Sequence, residues 1–108
     1  MKPLCAPLLV VASLVFARLA LADEALARSR NCVACHALEA KRIGPSYKEI
    51  ATRYAGQSGI APKLAEKIAK GSRGAWAREL GKELLMPPNA TVKPEEATKL
   101  ANWILGLK

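Results

Sequence analysis

The sequence predicts an all-α domain of about four short helices, and three observations carry that prediction. Apolar residues recur at three- and four-residue spacing in the stretches that begin near Tyr47, Ile60 and Pro94. Glycine and proline punctuate the chain between those stretches, at "RIGPS", Gly56, Gly71 and "MPPN". No run alternates β-branched or aromatic residues with polar ones, so no strand is expected.

Taken in order, residues 1–22 read as a secretory signal peptide. Met1-Lys2 gives a positive start, Leu4 to Ala17 is an almost unbroken apolar run, and Ala20-Leu21-Ala22 is a small-x-small cleavage site ahead of Asp23. The apolar run is shorter than the about 20 residues that span a bilayer. An uncleaved anchor is the alternative reading, and Arg18 is awkward for either. Cys5 sits too early to be lipidated at the cleavage point and leaves with the signal.

Residues 23–108 then form one small domain, with no repeat, linker or low-complexity tract. The full chain carries 17 basic and 9 acidic residues; Lys2 and Arg18 lie in the leader, so fifteen basic residues face nine acidic ones and the domain carries +6. A domain of this size buries little of its surface and commonly needs a disulfide, metal or cofactor. Only four large aromatics, Tyr47, Tyr54, Trp76 and Trp103, are present to fill its core.

The first helix opens on Asp23-Glu24, whose charges suit its positive end, and runs into the cysteine stretch. The second lies near Tyr47–Ala55, with Tyr47, Ile50, Ala51 and Tyr54 on one face, and stops at Gly56. The third places Ile60, Leu64 and Ile68 on one face and stops at Gly71. A long irregular stretch follows. The last helix opens with Pro94, Glu95 and Glu96 and turns Ala97, Leu100, Ile104 and Leu107 inward, with Trp103 beside them.

Both cysteines of the domain and its single histidine fall within "CVACH", Cys32 to His36. A structural disulfide is a poor reading of so tight a spacing. A thioredoxin-like site needs a strand and a βαβ context, and structural zinc needs a second Cys or His pair. Covalent haem attachment fits: cysteines at i and i+3 leave one helical face together, and the histidine that follows can turn its imidazole under the macrocycle to the iron. For the other side of the iron the domain offers one methionine, Met86, in "LLMPPN". A lone methionine is often core filler, but two following prolines make stiff, extended chain that holds its side chain in a set direction. Met/His ligation is the arrangement that raises a haem's reduction potential and serves electron transfer. A lysine ligand or an open sixth position is the alternative.

With "CVACH", "RIGPSYKEIATRYAG", "KIAKGSRGAW", "LLMPPN" and "ATKLANWILGLK" in hand, the chain resembles the small class I bacterial cytochromes c of the c-551/c-552 (c8) type over nearly all of residues 23–108. The resemblance implies a few helices wrapped around one haem c. It implies thioethers at Cys32 and Cys35 and axial ligation by His36 and Met86. It also gives Pro45 the carbonyl that accepts from the ligand histidine, Asn89 a contact to the methionine region, and Trp76 a place against the haem near a propionate. One departure is plain. The family keeps its tryptophan a handful of residues before the methionine, whereas here "ARELGKELL" (77–85) separates Trp76 from Met86. That insertion puts the Trp76–propionate contact in doubt and can add a helical turn at the haem edge.

Lys63, Lys67, Lys70 and Arg73, together with Arg28, Arg30, Lys41 and Arg42, form either a solvated face or a positive rim that steers an acidic redox partner. Nucleic-acid binding is not expected, since no basic cluster is interleaved with aromatics. The expectation is a soluble, monomeric, periplasmic electron carrier that catalyses nothing itself. A haem-bearing small subunit of an oxidoreductase such as a sulfite dehydrogenase, an open-iron gas-binding or peroxidatic protein, and a CxxC thiol oxidoreductase are the alternatives.

Overall fold

The computed structural model describes residues 21–108; the apolar run Leu4–Ala17, Cys5 and Arg18 lie outside the described residues. Helix α1 covers residues 21–29 and ends where Asn31 takes the left-handed conformation, φ 65°, which short polar side chains tolerate. A 3-10 turn, Cys32–Ala34, follows. The cysteines therefore sit beyond the first helix rather than on it. The pairing of the two thiols survives this correction, because three residues per turn eclipse positions i and i+3.

Helix α2, Tyr47–Arg53, starts at a reciprocal cap: the Glu49 N–H donates to Ser46 Oγ (3.0 Å) and the Ser46 N–H to Glu49 Oε2 (2.8 Å). Ser46-x-x-Glu49 is the capping-box spacing, and it fixes where the chain turns after Pro45. Helix α3, Ile60–Lys70, closes at Gly71, and helix α5, Pro94–Leu105, opens on its proline. The Lys93 N–H donates to Glu96 Oε1 (3.0 Å), and Glu96 also takes both ends of the Arg30 guanidinium (3.2 and 2.8 Å), tying the end of α1 to the start of α5.

The core is built where α1, α3 and α5 meet, from Ala27, Leu64, Ile68, Val92, Ala97, Leu100 and Ala101. Leu64, Ile68, Ala97 and Leu100 lie on the apolar faces the periodicity picks out; Ala27, Val92 and Ala101 join them from outside those faces. Alanines at 97 and 101 let α5 approach α3 closely, and Leu100 fills the space between them.

Two elements depart from the expectation. A fifth helical segment, α4 (Ala77–Leu80), lies within the 77–85 insertion. The absence of strands is corrected by a small antiparallel ladder: β1 (Ser72–Arg73) pairs with β2 (Leu85–Met86) in the register Ser72↔Met86 and Arg73↔Leu85. Two residues per strand are too few to leave an alternating pattern. Among the described residues no helix is long and apolar enough to cross a membrane.

The caps make the fold acid-sensitive. Lys41 and the Ser46 N–H hold the Glu49 carboxyl below the ordinary carboxylate range, and Arg30 does the same to Glu96. A carboxyl whose pKa is lower folded than unfolded contributes stability above its unfolded value, lost as pH falls through its folded one. Denaturant midpoints are expected to hold above about pH 5 and fall below it, less steeply in the Glu49→Gln/Glu96→Gln double variant.

Candidate functional site

One cavity gathers the chemistry. With its open mouth included it measures about 1100 Å³, and its wall carries Cys32, Cys35, His36, Pro45, Trp76 and Met86. Six of the seven residues singled out in the sequence thus meet in one place, from four separate parts of the chain. The seventh, Asn89, stands behind the wall. Its Nδ2 donates to the Arg30 carbonyl (2.9 Å), its N–H to the Ala69 carbonyl (3.2 Å), and its Oδ1 accepts from Thr91. It pins the loop after Met86 to the ends of α1 and α3.

On one side, Cys32 and Cys35 are separate, half-buried thiols. Burial pushes the Cys32 thiol upward, so it stays neutral at ordinary pH. Beside them the His36 ring is held by its Nδ1, 2.6 Å from the Pro45 carbonyl oxygen. A carbonyl only accepts, so Nδ1 carries the proton and Nε2 is left with its lone pair, the form that binds a metal. The loop that presents this ring is tightly folded: the Gly44 N–H donates to the Cys35 carbonyl (2.8 Å), and an isolated bridge pairs His36 with Lys41. Gly44 itself is required, because a Cβ there would lie 2.6 Å from His36 Cε1. Tyr47 stacks on the imidazole at 5.7 Å between ring centroids and meets Trp103 at 5.1 Å. Its buried hydroxyl has no hydrogen-bond partner among the described protein atoms, and desolvation pushes its pKa up to about 12.

Elsewhere on the wall, Met86 ends β2, and Pro87 continues it. Gly71 supports this segment at very close range: a Cβ there would lie 2.6 Å from the Met86 carbonyl oxygen and 2.9 Å from the Pro88 nitrogen. Trp76 is held at the cavity edge, its ring 4.3 Å from the Arg53 guanidinium carbon and edge-on to Tyr54 at 6.5 Å. Ile43 and Leu85 line the mouth yet remain 59% and 53% exposed.

Two thiols three residues apart, an imidazole with its metal-binding nitrogen free, a thioether from another strand, and apolar walls between them suit a flat, apolar, metal-centred group. A family model described as cytochrome c matches residues 23–108.

The chain belongs to the cytochrome c family.

Cytochrome c2 of Rhodocyclus tenuis is 50% identical over 88 residues, 81% of this chain and 95% of that protein. Cytochrome c-551 of Pseudomonas aeruginosa is 41% identical over the whole of both chains. The crystal structure of wild-type Nitrosomonas europaea cytochrome c552 superposes with a TM-score of 0.72 at 45% identity, covering 79% of this chain and 99% of that one. The resemblance to the c-551/c-552 type is thereby borne out, as is the helical cytochrome c fold. The cofactor is covalently bound haem c with its iron, whose attachment motif Cys32-x-x-Cys35-His36 fits, and the protein is a haem-based electron carrier.

The sequence assigns no site role to Gly44, Gly71, Tyr47 or Arg53: it marks Tyr47 only as a core aromatic and Gly71 only as a helix stop. "GP" before the capping box marks Gly44 as a turn, but nothing in it announces contact with an imidazole eight residues earlier.

Proposed function

We propose that the domain is Asp23–Lys108, released from a signal peptide ending at Ala22, and that it works in the periplasm as a soluble, monomeric carrier of single electrons. Its iron is held by His36 on one side and Met86 on the other, and Cys32 and Cys35 carry the thioethers. The observation that carries this reading is the convergence of His36 and Met86, fifty residues apart in the chain, on one apolar cavity that also holds both thiols. The family match beginning at residue 23 supports the domain boundary.

When bound, haem c supplies a one-electron couple at its iron. The protein's part is to hold the ligands still and keep water away. Pro45 orients the imidazole through its carbonyl. The Ser72↔Met86 pair and the prolines after it direct the thioether. Leu64, Ile68, Leu100 and Ile104 dry the interior wall. Held by both His36 and Met86, the iron would keep no position for a substrate, which supports electron transfer rather than catalysis.

Exposed Ile43 and Leu85 at the mouth, with Arg42 beside Ile43 in the chain and Arg73 paired to Leu85 across the ladder, form an apolar spot flanked by positive charge. Redox donors and acceptors with acidic surfaces fit there, steered by charge and screened by salt. A redox titration tests the proposal. It is expected to follow a one-electron curve, reversibly, in a protein whose native mass is that of one chain. A permanent partner in the native mass would instead mark a subunit of a larger oxidoreductase.

A further inference from the structure

Met86 lies at the base of a hairpin. Ser72 pairs with Met86, Arg73 with Leu85, and the Gly74 N–H donates to the Leu84 carbonyl (3.1 Å). The loop that closes it holds Trp76 and α4, and Ala77, Leu80 and Leu84 face the cavity. The 77–85 insertion is therefore wall of the haem cavity rather than a surface appendage. Its direction decides where Met86 points.

Little fastens this hairpin to the rest of the molecule. Among the described residues, the hydrogen bonds of 72–86 run within the segment, with one exception at Arg53. From the last turn of α2, Arg53 Nη1 donates to the Ala75 carbonyl (2.7 Å), and its guanidinium lies over Trp76 (4.3 Å) and near Tyr54 (5.6 Å). The Glu79 carboxylate, on α4, stands 3.9 Å away. An exposed ion pair at that distance contributes little. The stacked, hydrogen-bonding plane is what holds, and lysine cannot reproduce it. Helix α2 is thereby attached at both ends: its cap residue Ser46 follows Pro45, which holds His36, and its last residue holds the Met86 hairpin.

We propose that Arg53 is a positioning residue for Met86, clamping the 72–86 hairpin against the cavity and so setting how readily the thioether leaves the iron. The proposal rests on the reading of Met86 as axial ligand.

The test uses intact holoprotein. Imidazole binding to the ferric form and carbon monoxide binding to the ferrous form both require Met86 to move aside. Arg53→Ala is expected to speed both by about tenfold, the size of losing a hydrogen bond and a cation–π contact together. Arg53→Lys is expected to behave like Arg53→Ala, since charge is not the agent. Arg78→Ala, on the exposed face of α4, is expected to leave the rates at the wild-type value. Denaturant midpoints measured alongside separate a loosened ligand from a loosened fold: Glu96→Gln, at the start of α5 and away from the hairpin, is expected to lower the midpoint as Arg53→Ala does while leaving the rates near the wild-type value. Wild-type rates in Arg53→Ala overturn the clamp, as does a rate change that merely tracks the midpoint. A wild-type protein that itself binds carbon monoxide at once overturns Met86 ligation, whatever Arg53 does.

Discussion

Replacing Gly71 with alanine is expected to cost about 3 kcal/mol and to detach Met86 while leaving the haem covalently in place. Two effects add. Gly71 sits at φ 86° and ψ 173°, a region essentially reserved for glycine, so any side chain strains the backbone there. The new Cβ would also strike the Met86 carbonyl at 2.6 Å, the Pro88 nitrogen at 2.9 Å and the Pro88 Cδ at 3.1 Å. All are parts of a stiff Met-Pro-Pro segment that cannot yield locally. The segment must shift as a unit, carrying the thioether with it. The measurement is the ferrous visible spectrum with and without carbon monoxide, beside a denaturant titration. A carbon monoxide-sensitive, destabilised but coloured protein is the expected result.

Gly44→Ala strikes the other side of the iron and is expected to be comparably severe. Here the backbone conformation is ordinary and the collision is with the proposed ligand itself: His36 Cε1 at 2.6 Å, Nδ1 at 3.0 Å and Nε2 at 3.3 Å. A flexible side chain would move away. This ring is fastened to the Pro45 carbonyl and stacked on Tyr47, so moving it breaks the hydrogen bond that orients it. Overpacking of this kind costs about 1–3 kcal/mol. Its larger effect is expected during maturation, as a several-fold lower yield of haem-bearing protein, read as haem absorbance per mole of protein. Wild-type yield and stability would show that the loop can open without cost.

The fold was largely legible because its signals are local. Ile60, Leu64 and Ile68 repeat at the helical period, Pro94 and Gly71 mark ends, and the structure follows them. The cofactor was legible for a similar reason, since "CVACH" packs two attachment points and a ligand into five residues. The remainder depends on contacts between distant segments. Arg53 reaches Ala75 across 22 positions and Asn89 reaches Arg30 across 59, and neither leaves a periodic trace. The β1–β2 ladder is too short to alternate, though it sets the direction of Met86. Gly44 and Gly71 read as turn residues in the sequence; that each lies against a residue proposed to hold the iron is a fact of packing. Where the cysteine segment was expected to continue a helix, Asn31 breaks it, and local propensity alone does not force that break.

The central claim is an iron closed by His36 and Met86. The most direct measurement is a visible to near-infrared spectrum of the purified holoprotein, ferric and ferrous, with carbon monoxide added to the ferrous sample. The account predicts low-spin spectra in both states, the weak near-infrared sulfur-to-iron band in the ferric one, and no immediate response to carbon monoxide. A high-spin spectrum that shifts with carbon monoxide would contradict it, because the sixth position would then be open and Met86 only part of the wall.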